Sequence, residues 1–459
     1  MARGKKKETL TPEERLQVAL VPESEQPYKV PENWCWTALK HISSHISDGS
    51  HNPPKDSGKG IPLLSATNIR DHLIDIDSAV RWITEDQWTI ENQRTKIETN
   101  DVLLTIVASI GRTAVVKNEQ FALQRSVAVI KPKINSEFLS YYFESPYIQQ
   151  FMLDNAKGTA QKGFYLNSLV ELFCCVPPLA EQQRIVDRIE SLFAKLDEAK
   201  QNVQDALDNF ETRKAAILHR AFTGELTAQW RKEHGVGMES WEEKTINDIG
   251  DVKGGKRIPK GMELTYENTG HPYLKAGNLK QGTVIASGMM YVTDEILECI
   301  KNYTVSAGDV YITNVGACIG DCGIIPPEYD GANLTENAVK ITNLKCNNKW
   351  LSYYLSGSSV QQNIKSMIAS ATLGKLSIAN IKKIELNIPT SLDEQIEIVC
   401  ILDNLFAKEQ QAKDAAEGVL EQIDLIKKAI LARAFRGELG TNDPSEESAV
   451  ELLKQISSC

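Results

Sequence analysis

The sequence predicts an α+β protein: two mixed α/β domains related by internal duplication, each followed by a long α-helix, the two helices pairing as an antiparallel coiled coil. Three observations predict it. The chain repeats itself once, at an offset that drifts from 208 positions (Asp101 to Asp309) to 213 (Ala221 to Ala434). Within each copy the apolar period changes from short strand-like runs to a helical seam. The composition, 459 residues with 42% hydrophobic and 24% charged, is that of a globular chain long enough for two or three cores.

Residues 1–29 read as an N-terminal extension. Thr11-Pro12-Glu13-Glu14 is a capping box with proline at the first helical position, so a short helix is expected from Thr11 to Leu20. The first domain spans 30–178 and the second 238–390. Gly60-Ile61-Pro62-Leu63-Leu64-Ser65-Ala66-Thr67-Asn68-Ile69 recurs as Gly270-His271-Pro272-Tyr273-Leu274-Lys275-Ala276-Gly277-Asn278-Leu279. Asp101-Val102-Leu103-Leu104-Thr105 recurs as Asp309-Val310-Tyr311-Ile312-Thr313, and Leu139-Ser140-Tyr141-Tyr142 as Leu351-Ser352-Tyr353-Tyr354. Apolar runs such as Asp101 to Val107, Thr113 to Val116, Val310 to Thr313 and Cys322 to Ile325, punctuated by Gly, Pro, Asn and Asp, predict strands and turns with a few helices.

The first spacer helix occupies 179–227. From Ala180 to Phe222 there is no Pro or Gly, and Ile185, Ile189, Leu192, Leu196, Ala199, Val203, Ala206 and Phe210 recur at alternating spacings of four and three. That is a heptad seam on one helix of roughly 64 Å. A linker follows at 228–237. The second spacer helix, 391–440, carries Ile398, Leu402, Leu405, Ala412, Ala416, Val419, Ile423, Ile426 and Ile430 in the same phase, and 441–459 forms a C-terminal tail. Two long seams in one chain can bury each other. The alternative is that each helix packs on its own globular region.

No stretch approaches the roughly 18 uninterrupted apolar residues of a membrane span, and the basic segment Met1 to Lys7 is followed by polar residues rather than an apolar signal core. A soluble, unsecreted protein is expected. Nine scattered cysteines do not form a disulfide framework, which points to the reducing cytoplasm. The net charge of -10 is concentrated at the end: residues 391–459 hold seven basic and fourteen acidic side chains. The domains are near neutral, so a DNA-facing surface is confined to local patches.

Candidate chemistry mostly fails on missing parts. Asn52-Pro53-Pro54-Lys55 resembles the Asn-Pro-Pro-aromatic motif of DNA amino-methyltransferases, but Lys55 cannot stack on a base. Asp187 with Glu198-Ala199-Lys200 has nuclease-like residue types, yet it lies on the heptad helix. Cys318 with Cys322, and His41 with His45, lack a second pair to complete a metal site. Gly255-Lys256-Arg257 is no phosphate loop. No catalytic residue and no metal site is predicted. These absences leave a self-contained methyltransferase or nuclease as a minor alternative, with a protein-binding coiled-coil scaffold as another.

What remains has the composition of nucleic-acid contact. Lys253, Lys256, Arg257 and Lys260 sit in a Gly/Pro-rich segment opening the second domain, and Lys55 and Lys59 hold the equivalent place in the first. Cations on such loops approach phosphates closely. Polar stretches of base-reading types accompany them: Gln124, Arg125, Thr159, Gln161 and Lys162 in one copy, Thr335, Asn337, Thr372 and Lys375 in the other, with Arg112 and Asn314 nearby. The copies differ most at these positions while sharing their apolar frame.

Leu179-Ala180-Glu181-Gln182 and Leu392-Asp393-Glu394-Gln395 open the two helices. Ala221-Phe222-Thr223-Gly224-Glu225-Leu226 and Ala434-Phe435-Arg436-Gly437-Glu438-Leu439 close them. With the duplicated module, these motifs resemble the specificity subunit of type I restriction-modification systems from Val30 to Leu439. The resemblance implies a non-catalytic DNA-binding subunit whose domains each read one half of a bipartite target in double-stranded DNA. It implies that the helix pair fixes the gap between halves and docks two modification (methyltransferase) subunits, with translocating and cleaving restriction subunits beyond them. It also implies no cofactor on this chain, with S-adenosylmethionine, ATP and Mg on the partners.

Overall fold

The computed structural model describes residues 11–70, 72–158, 161–369 and 374–458. They form two compact units, one from residues 1–203 with 418–459 and one from 204–417. Each unit therefore contains one domain, part of the helix that follows it and part of the other long helix.

The first unit opens with the expected helix, Pro12–Ala19, capped by Thr11 and closed by the reciprocal Glu14 bond. Its central antiparallel sheet has the order Ser43–Asp48, Val127–Pro132, Val102–Thr105, Thr113–Val115. A ribbon of Cys35–Ala38 against Phe173–Val176 joins the two ends of the domain. A small sheet places Ile61–Leu64 between Trp82–Ile83 and the parallel strand Ala122–Leu123.

The second unit repeats this plan. Asp251–Gly254, Ala338–Thr342, Val310–Thr313 and Cys322–Ile324 form its central sheet in the same order. Trp241–Thr245 pairs with Glu385–Pro389, and Pro272–Leu274 lies between Met290–Tyr291 and Asn333–Leu334. The β-rich runs read from sequence are these strands.

The long helices depart from expectation in three places. The first is not continuous: it comprises Leu179–Asp208 and Phe210–Phe222. At the break the Asn209 amide donates to the Asp205 carbonyl at 2.8 Å, so the side chain takes an acceptor that the helix would otherwise use. The second is a single helix as expected, Leu392–Ala434. Segment 228–237 is more than a linker, because Ala228–His234 is helical and ends at Gly235 with φ +65°.

Within each unit the helices run antiparallel. In the first, Asp197 pairs with Lys427 at 2.5 Å and Lys200 with Asp424 at 3.7 Å. In the second, Arg213 meets Glu409 at 3.0 Å. The inward row of the second long helix is Phe406, Glu409, Lys413, Ala416, Leu420, Ile423, Lys427, Ile430 and Ala434. The expected seam shares Ala416, Ile423 and Ile430 with it, but Val419 and Ile426 turn outward, 40% and 46% exposed. The expected phase took apolar side chains at the alternate row. The structure instead places Lys427 in the inward row, its ammonium 4.9 Å from the centre of the Phe193 ring and paired with Asp197; a long side chain whose stem is apolar can occupy such a position while its charge stays partnered.

Ile185, Ile189, Ile398 and Leu402 are buried as the seam requires, and Leu192, Leu196, Val203, Phe210 and Leu405 are half-buried. The closing motifs anchor the helix ends in the cores. Phe435 packs edge-on against Phe138 and Tyr142 in the first unit, and Phe222 against Trp350 and Tyr354 in the second. Eight cysteines among the described residues are free thiols.

Candidate nucleic-acid interface

Three segments of the first domain come together at one end of its central sheet. Backbone hydrogen bonds hold them: Ile106 N donates to Ser126 O at 2.9 Å, and Phe164 N to Ile106 O at 2.7 Å. A fourth joins through Gly49 and Ser50, since Gly49 N reaches Val127 O and Ser50 N reaches Leu123 O. The second domain makes the same bonds with different residues. Asn314 N donates to Asn337 O, Leu376 N to Asn314 O, Gly255 N to Ala338 O and Lys256 N to Leu334 O.

Gly49 and Gly255 make this frame possible. A Cβ at Gly49 would lie 2.3 Å from Leu123 O, and one at Gly255 would lie 2.0 Å from Thr335 O. Only glycine lets the cationic loop leave its strand so close to the polar segment beside it.

On this frame the side chains diverge. Gln124-Arg125-Ser126 occupies the place of Thr335-Glu336-Asn337. Arg125, Gln161 and Lys162 are exposed, and Gln124 is half-buried. Lys55 and Lys59 are exposed on the loop that begins beside them. Arg112 is also exposed, and it lines a cleft of about 1020 Å³ with Tyr141, Glu190 and Lys428, a lining that includes none of the polar segments. Thr159 and Thr372 lie outside the described residues.

The second domain corrects two expectations. Lys253 belongs to strand Asp251–Gly254 rather than to a loop, with its ammonium 3.9 Å from Asp251. Thr335 is only 4% exposed, because its segment is drawn under the neighbouring loop, so its hydroxyl is no surface group. Arg257 is bound through Nε to Glu336 at 2.5 Å, a partner that the pattern of residue types does not single out. Burial raises the Glu336 carboxyl most, but the Arg257 hydrogen bond and charge, its own backbone N–H and the Thr335 hydroxyl together hold the group below its usual range. Lys256 extends over the Tyr303 ring at 5.5 Å. Lys260 and Lys375 are exposed, and Asn337 is half-buried. Asn314 Oδ1 is buried with no hydrogen-bond partner among the described residues.

The glutamate and glutamine of each Leu-x-Glu-Gln motif are buried and hold the domain to its helix, while Leu179 and Leu392 stay exposed. Gln182 accepts from Asn135 N and donates to Pro177 O; Gln395 accepts from Asn347 N and donates to Pro389 O. Glu181 and Glu394 are fully buried. Among the described residues no group of three or more His, Cys, Asp or Glu side chains could hold a metal ion. No described helix is long and apolar enough to cross a membrane.

A family model described as the type I restriction modification DNA specificity domain matches residues 54–207 and again 238–417. The EcoBI specificity subunit of Escherichia coli is 34% identical over 45% of this chain and 44% of its own length. The EcoKI specificity subunit of Escherichia coli K12 is 23% identical over 93% of this chain and 96% of its own. Among solved structures, the HsdS subunit from Thermoanaerobacter tengcongensis superposes with TM-score 0.57 at 18% identity, covering 90% of this chain and all of that one. A chain from a structure of type I restriction-modification complex assembly and conformational transition gives 0.65, also at 18% identity and with the same coverage. Both structural likenesses are likenesses of fold.

Proposed function

Because the chain belongs to the type I restriction-modification DNA specificity family, we propose that each of its two domains reads one half of a divided DNA target through the loop cluster described above. As a member of that family it is a non-catalytic DNA-recognition component of a type I restriction-modification complex, with no catalytic cofactor of its own. One observation carries the reading of the loops. The same backbone bonds hold Gln124-Arg125-Ser126 in one domain and Thr335-Glu336-Asn337 in the other. A conserved frame with exchanged polar side chains is what two readers of unlike half-sites require.

Roles divide along chemistry. Lys55, Lys59, Lys162, Lys256, Lys260 and Lys375 supply phosphate contacts, which position without reading. Arg125, Gln124, Gln161 and Asn337 supply base-edge contacts. Arg257 has its Nε held by Glu336 while most of its side chain stays exposed, so the neighbouring carboxylate offsets its attraction for phosphate. The antiparallel helices set the unread gap and dock the modification subunits, two in number. Outward Val419 and Ile426, stacked two turns apart, and Leu425 further round the helix at 63% exposed, offer apolar surface suited to that docking. The partners carry S-adenosylmethionine, ATP and Mg, and the complex works in the cytoplasm.

The test is to co-express the chain with its modification subunit and map methyladenine across the genome. A split motif with a fixed gap, absent without this chain, is expected. Methylation independent of the chain, or a formed complex that methylates nothing beside an active partner, would refute the assignment. Leu425→Glu with Ile426→Glu should abolish the complex while leaving the chain folded.

A further inference from the structure

We propose that Gln149 and Gln361 are positioning residues for recognition, each fixing the loop from which its domain's reading segments are suspended. The proposal rests on the reading of the loops given above.

The geometry is the same in both domains. Gln149, on helix Pro146–Asp154, donates through Nε2 to Gly111 O at 2.8 Å and to Phe143 O at 2.7 Å. Gln361, on helix Ser358–Ala369, donates through Nε2 to Gly320 O at 3.0 Å and to Leu355 O at 2.7 Å. One amide thus spends both donors bridging a helix end and a loop carbonyl. The glycines have φ +95° and +97°, and a Cβ on either would lie 2.5 or 2.8 Å from the glutamine side chain. The loop conformation and the amide therefore need each other.

The other end of each loop holds the reading segments. Ile106 bonds through its N–H to Ser126 and through its carbonyl to Phe164, and Asn314 does the same with Asn337 and Leu376. Inside the loop, Thr105 Oγ1 binds the Ser109 carbonyl and accepts from Arg112 N at 2.9 Å. Thr313 Oγ1 binds the Cys318 carbonyl. A loop pinned at Gly111 sets where Ile106 lies, and Ile106 sets how segments 124–126 and 161–164 face each other.

The duplication separates this anchor from ordinary loop packing. Between the shared threonine and the shared glycine, the first loop has five residues, Ile106 to Ile110, and the second has six, Asn314 to Ile319. Length and composition changed while the amide and the glycine stayed. The central sheet does not use Gln149; its strands are held by their own ladders.

The test compares genome-wide methyladenine maps from the complete modification complex carrying wild-type chain, Gln149→Met or Gln361→Met. Methionine keeps the volume and removes both donors. Expected is a rise of about tenfold in methylation at sites altered in one half of the motif, with the other half read as before, and complementary halves for the two variants. Thermal unfolding should shift by only a few degrees. Gln149→Glu, which turns a carboxylate without donors toward two carbonyls, should relax the same half further. Equal relaxation of both halves, an unchanged motif in both variants, or a loss that follows the amount of soluble complex would overturn the proposal. A wild-type map without any split motif would overturn the loop reading and this inference with it.

Discussion

The two units bury the same carboxylate and satisfy it with different donors. In the first, Glu181 accepts from Trp34 Nε1 at 2.8 Å, Asn442 Nδ2 at 2.9 Å and Thr441 Oγ1 at 3.3 Å, all neutral donors. In the second, Glu394 accepts from Trp241 Nε1 at 3.1 Å and Thr227 Oγ1 at 2.8 Å, and an added cation, Arg231, lies 2.7 Å away. The donors come from chain that the repeat does not match closely: the tail in one unit and the short helix at 228–234 in the other. Duplication therefore preserved the acceptor and its tryptophan, while each unit found its remaining donors in whatever chain follows the opposite helix. The loops repeat the lesson at the surface, where an identical backbone frame carries Arg125 in one unit and Glu336 in the other.

The largest way to break the symmetry is at this carboxylate. Arg231→Met leaves Glu394 buried with its cation gone and should destabilise the chain by about 3–5 kcal/mol in denaturant unfolding. Asn442→Ala beside Glu181 removes one neutral donor and should cost about 1–2 kcal/mol. Equal losses would mean that the two sites are electrostatically alike.

Gly49→Ala and Gly255→Ala push a methyl group against backbone carbonyls. Each should cost about 1–3 kcal/mol, and each should impair one half-site more than the other. Calorimetry with half-site binding tests this, and tolerance of either alanine would show that the frame can relax.

Next in size come the reading residues. Arg125→Ala should weaken binding about tenfold and relax one base position, whereas Arg257→Ala should change less, because Glu336 already holds that guanidinium. Removing Lys55 and Lys59 together should lower the salt slope of binding by about 2 without altering the sequence read. An unchanged slope would place these lysines off the DNA.

The smallest effect is the tail ion pair of the first unit. Arg184 binds Glu446 through both oxygens at 2.8 and 2.7 Å, while Glu397 stands at the corresponding place in the second unit. The Arg184 hydrogen bonds hold Glu446 below its ordinary 4.5. The stability this adds is present above 4.5 and is lost as pH falls through the lower folded value. Arg184→Met should cost under about 1 kcal/mol at neutral pH, and the difference from wild type should shrink in acid. A difference that grows in acid would exclude the pair as its source.

Much of the fold was legible because duplication is a pattern in the sequence itself. Strands Val102–Thr105 and Val310–Thr313, buried along their whole length, fell where short apolar runs bounded by turn residues placed them, and the Thr11 box marked its helix. The candidate site was legible as residue types but not as geometry. Gly49 and Gly255 looked like ordinary loop glycines, and their role depends on carbonyls more than seventy residues away. Gln149 and Gln361 had a signal that could have found them, the match of Ile148-Gln149-Gln150 with Val360-Gln361-Gln362. Thr335 read as a surface group and Arg257 as an unpaired cation because nothing local announces the burial of the one or the ion pair of the other with Glu336.

The sequence alone determined the duplication, the change of period, the helix-opening and helix-closing motifs and the family. These follow from local periodicity and from self-comparison, which need no third dimension. Only the tertiary structure decided which row of the long helix faces inward, since two phases share every seventh residue and lysine stems and pairing across the helices settle the choice. Only it decided that Asn209 interrupts the first helix, that segment 228–234 supplies a buried cation, and that the reading segments hang from Ile106 and Asn314. Each of these depends on partners distant in sequence, and a contact energy has no trace in the chain until folding brings both members together.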